Sequence, residues 1–213
     1  MAGSCCENNC AVESLRTRQK GTLVKVLWVN AVMFLVIAGA ALYGKSTALL
    51  SDSLDNLGDA VTYGLSLYVV AQNAGAKARV ALFKGLLILL GALVVVGQVA
   101  SKLFNPIVPS FEVMGAFSLA GLAANGFCLW LLWQHRSEDI NMSSVFECSR
   151  NDIASNLSVF LAAGGVWLLQ SGWPDVVVAT LLAALLLKSA FRVISGAVKE
   201  LRGQPNKSLK DAP

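Results

Sequence analysis

Long apolar stretches separated by short polar links limit the folds that this chain can adopt. Six stretches each hold about the 20 apolar residues that a helix needs to cross a hydrocarbon core of about 30 Å. They are 22–43, 48–72, 81–104, 111–133, 143–170 and 175–198. A backbone in lipid must satisfy its own hydrogen bonds, so stretches of this length and Leu, Val and Ala content are expected to be helices. The sequence therefore predicts an all-α membrane protein with six transmembrane helices.

The small share of charged residues supports this prediction. The chain is 55% hydrophobic and 14% charged, whereas a soluble domain carries about 25% charged residues. So little charge is not enough to cover the surface of a soluble fold. We expect three parts: a Cys-containing N-terminal tail at 1–20, a six-helix membrane domain at 21–198, and a short C-terminal tail at 199–213.

Basic residues mark one side of the predicted membrane domain. They lie before the first stretch, in the links after the second and fourth stretches, and around the end of the last stretch. The opposite side carries only Lys45, in a link, and Lys102, near the end of the third stretch. Because segments rich in Lys and Arg stay in the cytoplasm, both termini are expected there. The chain has a net charge of +4, and its basic residues lie at the ends of the apolar stretches. Nucleic acid is therefore not an expected partner.

Three acidic residues interrupt the second stretch. They are Asp52, Asp55 and Asp59. An acid in the middle of a membrane costs from about 2.5 kcal/mol upward, so such residues usually have a function. On a helix, Asp55 and Asp59 are at positions i and i+4 and share one face, and Asp52 extends that face by nearly one turn.

The fifth stretch repeats this spacing with a thiol. Cys148 and Asp152 are again at i and i+4, and Glu147 lies beside them. Two helices with two donors each would complete the four-coordinate shell that zinc prefers. Two other interpretations stay open: Arg150 as an internal ion-pair partner of Asp152 or Glu147, and Cys148 as a small buried hydrophobe. Without a cation, buried carboxylates repel one another, and protons relieve that repulsion when metal leaves.

Other polar residues have less specific roles. Cys5, Cys6 and Cys10 lie in the N-terminal tail and are candidates for capturing metal, with lipidation or a simple tail with reactive thiols as alternatives. Asp52 and Glu147 are candidate accessory ligands. Asparagines within the apolar stretches are expected to form hydrogen bonds between helices; these are Asn30, Asn125 and Asn156.

Two segments resemble the cation diffusion facilitators, a family of proton-coupled exporters of divalent metals with six transmembrane helices. The first is Ser-Thr-Ala-Leu-Leu-Ser-Asp-Ser-Leu-Asp-Asn-Leu-Gly-Asp at 46–59, which contains the family's [His/Asp]-x-x-x-Asp pair. The second runs from Asn141 to Cys148-x-x-x-Asp152. The resemblance covers about residues 15–200.

This resemblance implies a secondary transporter rather than an enzyme, with no resident cofactor. It implies that Asp55, Asp59, Cys148 and Asp152 bind the transported ion, and that the protein is a homodimer that exchanges metal for protons. The expected location is the bacterial inner membrane. Cys148 stands where the family often has His, and its softer thiolate favours Zn²⁺ or Cd²⁺ over harder ions.

The end of the chain departs from the family pattern. Members usually carry a cytoplasmic C-terminal domain that aids dimerisation, but here the sequence ends shortly after the sixth stretch. We therefore expect dimer contacts from the membrane helices. The third stretch is a candidate because small residues let helices approach closely; it contains Gly91, Ala92 and Gly97.

Three other functions fit parts of the pattern. An intramembrane aspartyl protease would use Asp59 and Asp152 as a dyad that shares a proton, but this leaves Asp55 and Cys148 without a role. A proton-coupled exporter of organic cations would need an aromatic cage, and Tyr63 and Tyr68 alone do not make one. A metal-binding signalling protein would bind the ion without flux.

Overall fold

The computed structural model describes the backbone of residues 4–69, 74–133 and 140–203. Side chains are described for 20–65, 67, 78, 79, 81–133 and 149–202. Within these ranges the chain forms six α-helices, which confirms the all-α prediction. They are α1 (Ser4–Tyr43), α2 (Thr47–Val69), α3 (Ala74–Phe104), α4 (Phe111–Trp133), α5 (Ile140–Leu169) and α6 (Trp173–Gly203).

Five of these helices are long and apolar enough to cross a membrane. The qualifying segments are Lys20–Tyr43, Ala81–Phe104, Phe111–Trp133, Ser149–Leu169 and Trp173–Arg202. The helix α2 does not qualify, because Asp52, Asp55 and Asp59 lie in the middle of its 23 residues. The membrane assignment is therefore confirmed for five helices, and the sixth span stays a prediction. The first helix begins at Ser4, so the predicted N-terminal tail continues into α1 without a break.

The helix α2 lies at the centre of the fold. It contacts all five other helices, most extensively α1 and then α3 and α6, while α3 and α6 pair closely with each other. The outward surface is apolar, with side chains such as Leu35, Leu90 and Trp130 more than half exposed. Buried polar residues lie in the interior instead. This arrangement suits a lipid environment, where the polar residues of a span face other helices.

Two apolar clusters close the ends of the interior. We call the end where α1 meets α2 the turn end, and the opposite end, where α1 begins and α6 ends, the termini end. The turn-end cluster is built around Ile37, Leu49, Met114 and Val159. The termini-end cluster contains Leu23, Val26, Tyr63, Cys128 and Leu132. The acidic residues of α2 and α5 lie between these clusters.

A buried ion pair fastens three helices at the turn end. Lys102 Nζ, near the end of α3, donates to Asp175 Oδ2 at 2.7 Å, and Asp175 in the first turn of α6 is 0% exposed. The same carboxylate accepts hydrogen bonds from Ser46 Oγ at 2.6 Å and from the Thr47 and Ala48 backbone amides at 3.0 Å each. Because those amides begin α2, Asp175 caps one helix while neutralising a lysine from another.

The small residues of α3 contribute mainly to contacts within the chain. Gly91 packs against the Leu54 side chain of α2, and Ala92 is buried against α6 in a cluster with Leu186. Gly97 is exposed, with nothing within 4 Å of the position where a Cβ would lie. Gly91 and Ala92 are thus occupied by neighbouring helices of the same chain.

Candidate metal centre

The carboxyl groups of Asp59 and Asp152 meet at the contact between α2 and α5. They are hydrogen-bonded to each other, and Asp152 is buried while Asp59 is half-buried. Two carboxyl groups in contact repel each other when both are charged, so this arrangement favours a proton or a cation between them. The second residue of each i, i+4 pair, Asp59 on α2 and Asp152 on α5, thus lies at the contact between the two helices.

The other two acids of α2 belong to the same electrostatic cluster. The charges of Asp55 and Asp52 both act on Asp152, and Asp55 also interacts with Asp59. Asp55 is half-buried, and Asp52 is 1% exposed. Four carboxyl groups therefore concentrate negative charge in one buried region, which favours binding of a cation or of protons.

Tyr63 supports Asp59 in a way that the sequence analysis missed. Its hydroxyl donates to Asp59 Oδ2 at 3.0 Å, and its side chain is 1% exposed. Tyr63 follows Asp59 by four residues, so the helical spacing that grouped the acids also pointed to this contact. A hydrogen bond from such a neighbour holds a carboxylate in a fixed orientation, as outer-shell partners of metal ligands do.

Cys128 is a second residue whose place the sequence did not indicate. Its thiol is free and fully buried on α4, and it interacts electrostatically with both Asp152 and Asp59. It packs in the termini-end cluster with Tyr63. Cys128 is therefore a sulfur close to the acids, on a helix that carries none of the predicted ligands.

Several predicted ligands lie outside the described side chains. These are Cys148, Glu147, Cys5, Cys6 and Cys10, although the backbone of each is helical. Among the described side chains no group of three or more His, Cys, Asp and Glu residues is arranged to hold a metal ion. The four-ligand site of Asp55, Asp59, Cys148 and Asp152 therefore stays a prediction, with Asp59 and Asp152 as the pair brought together.

The alternative in which Arg150 forms an internal ion pair with Asp152 or Glu147 stays open, because the Glu147 side chain lies outside the described residues. Arg150 is exposed whereas Asp152 is buried. Asp152 meets Asp59 at the contact between α2 and α5, so a ligand bound there would contact both carboxyl groups.

The prediction of hydrogen bonds between helices for the buried asparagines was wrong. Asn30 Nδ2 donates to the Val26 carbonyl and Asn156 Nδ2 to the Asp152 carbonyl, both at 2.9 Å and both within their own helix. Both side-chain atoms of Asn125 lack a partner. The reason is geometric: an amide four residues after a carbonyl reaches that acceptor without crossing to another helix.

Comparison with known proteins places this fold in a family. Residues 23–202 match the cation efflux transmembrane domain. The chain is 31% identical to the zinc transporter ZitB of Yersinia pestis in an alignment of 137 positions that covers 58% of this chain and 42% of that transporter. It is 30% identical to the zinc transporter ZitB of Yersinia pseudotuberculosis serotype I (strain IP32953) over the same length. The chain thus spans less than half the length of these relatives. Because the family match covers most of its residues, this chain belongs to the cation efflux family, whose members are transporters and not enzymes.

Proposed function

We propose that this chain exports divalent cations, Zn²⁺ foremost and Cd²⁺ as well, from the cytoplasm in exchange for protons. The ion would bind between α2 and α5 to Asp55, Asp59, Cys148 and Asp152. The observation that carries this proposal is the contact between Asp59 and Asp152 across these two helices, in a chain of the cation efflux family.

The chemistry of this site favours exchange of metal for protons. A divalent cation that enters displaces a proton held between Asp59 and Asp152, since ligands bind metal in their deprotonated form. When the ion leaves, the clustered carboxyl groups repel one another unless protons return. The empty transporter therefore changes between its inward- and outward-facing states most easily when the site is protonated. This requirement couples the flux of protons to the flux of metal.

The donor set favours a borderline or soft ion. Carboxylates and a thiolate in a four-coordinate shell suit Zn²⁺, and the sulfur of Cys148 adds affinity for Cd²⁺ relative to Mn²⁺. Two relatives are named as zinc transporters, which agrees with this choice. Cys5, Cys6 and Cys10 would capture the ion on the cytoplasmic side, and Glu147 would serve as an accessory ligand.

The position of α2 explains how it can be the sixth span despite its acids. It contacts the other five helices, so its carboxyl groups face protein rather than lipid, as intramembrane acids require. With the basic residues at the termini end, both termini would lie in the cytoplasm. The proposed location is the plasma membrane of a bacterium. The proposed homodimer would use surfaces other than Gly91 and Ala92, which contact α2 and α6 of the same chain.

Membership of a transporter family removes the aspartyl-protease alternative. An organic-cation exporter stays as the second candidate because it also needs a buried acid and protons. Its substrates lack the charge density that would draw several carboxylates together, so a metal-specific flux separates the two.

Zinc flux into proteoliposomes tests the proposed function. When the lumen is more acidic than the medium, outward proton movement should accelerate zinc uptake several-fold over vesicles without a gradient, and a protonophore should remove the acceleration. Zinc uptake that is insensitive to the gradient would contradict proton coupling. Absence of uptake by the wild-type chain, with uptake of an organic cation such as ethidium, would favour the second candidate.

A further inference from the structure

The exposed face of α6 changes from apolar to basic along its length. Its first half presents Val177, Leu181 and Leu185, each more than half exposed. Its second half presents four basic side chains and one hydroxyl, all exposed; these are Lys188, Arg192, Ser195, Lys199 and Arg202. Spacings of three and four residues place both sets on one face of the helix. A single stripe therefore runs from apolar side chains to cations.

The basic part of this stripe lies at the depth of lipid headgroups. The helix qualifies as a membrane span over Trp173–Arg202, which at 1.5 Å per residue is about 45 Å long. That length matches a hydrocarbon core of about 30 Å together with the polar layers on both sides. Trp173 is 63% exposed at the turn end and marks one interface, where exposed tryptophans are enriched. The headgroups of the opposite leaflet are reached about 20 residues later, close to Arg192.

The charge of the stripe is not balanced by nearby acids. Among the described side chains, none of its four cations forms an ion pair. Glu200 belongs to the same half of α6, but it lies about 100° around the helix from Lys199. Lys188 lies below the headgroup level, and its apolar stem lets the ammonium group reach up to the headgroups. Exposed cations at this depth attract anionic lipids.

A groove in the basic part offers donors for one phosphate group. It is an open groove of about 550 Å³ lined by Ser195, Val198, Lys199 and Arg202. Ammonium and guanidinium groups both bind phosphate oxygens, and a guanidinium group can bind two of them at once. The serine hydroxyl is a third donor, and Val198 adds apolar surface for the carbon atoms next to a phosphate ester.

We propose that this groove binds the headgroup of an anionic phospholipid, whose acyl chains lie along Leu185 and Leu181 of the same helix. A phospholipid matches both halves of the stripe, whereas free phosphate matches only the groove. A second copy of this chain is a poorer occupant, because a two-fold axis through this face would bring like charges together. The proposal depends on α6 as a membrane span and is independent of the transported ion.

Native mass spectrometry of the full chain in a nonionic detergent tests this site. The anionic probe is dioleoylphosphatidylglycerol, and the neutral probe is dioleoylphosphatidylcholine. The wild-type chain should retain one phosphatidylglycerol molecule in preference to phosphatidylcholine. The variant K199Q/R202Q should bind it about 30-fold more weakly, which corresponds to the contribution of two basic residues near a membrane surface. The matched control K20Q/K25Q removes the same charge from exposed positions on α1 at the termini end and should leave the affinity unchanged.

Four results would overturn the proposal. Equal losses in both double variants would indicate general attraction to the termini end, and equal affinity for the two lipids would show that charge is not recognised. Displacement of the lipid by an equal concentration of glycerol 3-phosphate would assign the groove to free phosphate esters. A dimer that binds no phosphatidylglycerol and dissociates in K199Q/R202Q would assign the face to a second copy.

The single variants K199Q and R202Q make the test independent of the folding of the double variant. Each should weaken phosphatidylglycerol binding about fivefold, because each removes one of the two charges. Circular dichroism should show unchanged helix content in all variants, since the substituted positions are exposed. Single variants that are folded and bind the lipid as tightly as the wild type would also contradict the site.

Discussion

Replacing Asp152 with Asn is expected to reduce zinc transport by more than about 100-fold. Loss of an outer-shell partner of a metal site costs 10–100-fold, and loss of a charged ligand should cost at least as much. The substitution keeps the size of the side chain but removes the charge that Asp152 presents at its contact with Asp59. Zinc uptake into proteoliposomes at fixed pH measures the effect.

Two controls show whether this loss comes from the metal site. Glu200→Gln removes a charge from an exposed position on α6 and should leave the transport rate unchanged. The thermal midpoint of Asp152→Asn in detergent should be equal to or above that of the wild type, because the substitution removes repulsion among clustered acids. Transport at more than half of the wild-type rate would contradict a ligand role for Asp152.

Replacing Asp175 with Ala is expected to produce the largest loss of stability, about 3–5 kcal/mol. The carboxylate is 0% exposed and accepts hydrogen bonds from Lys102, from Ser46 and from two backbone amides of α2. Its removal leaves a buried ammonium group without its counter-ion and the first turn of α2 without its cap. Unfolding in detergent, followed by circular dichroism, measures the change.

The double variant D175A/K102M separates the ion pair from the helix cap. It should regain a large part of the lost stability because no unpaired buried charge remains, and the remaining deficit then reports the lost cap, worth about 0.5–2 kcal/mol. Glu112→Gln, at the same end of the bundle but exposed, should change stability by less than about 0.5 kcal/mol. An Asp175→Ala protein as stable as the wild type would contradict this account of the turn end.

The helices could be predicted because their signal is local. The bounds of α4, 111–133, follow from the apolar stretch and agree with the structure. The helix α3 begins at Ala74, seven residues before the predicted start at 81, because Lys77 and Arg79 end the apolar stretch without ending the helix. Hydropathy therefore predicts the apolar part of a helix but not a charged extension of the same helix.

Only those features of the site that depend on spacing within one helix could be predicted. The i, i+4 patterns grouped Asp55 with Asp59 and Cys148 with Asp152, and the structure brings Asp59 and Asp152 together. Contacts between residues that are far apart in the sequence give no comparable spacing pattern. Lys102 and Asp175 are 73 positions apart, and the sequence analysis gave Lys102 only a role in setting orientation. The nearness of Cys128 to the acids likewise depends on how α4 packs, which spacing along one helix does not reveal.

The central claim is that α2 and α5 together bind one metal ion through carboxylates and the thiolate of Cys148. X-ray absorption at the zinc edge tests it most directly, in the protein with serine at positions 5, 6 and 10. The account predicts one sulfur at about 2.3 Å and oxygens at about 2.0–2.2 Å from the zinc, with the sulfur lost in Cys148→Ala and retained in Cys128→Ala. A shell of oxygens alone in the parent protein, or a sulfur that persists in Cys148→Ala and disappears in Cys128→Ala, would contradict it.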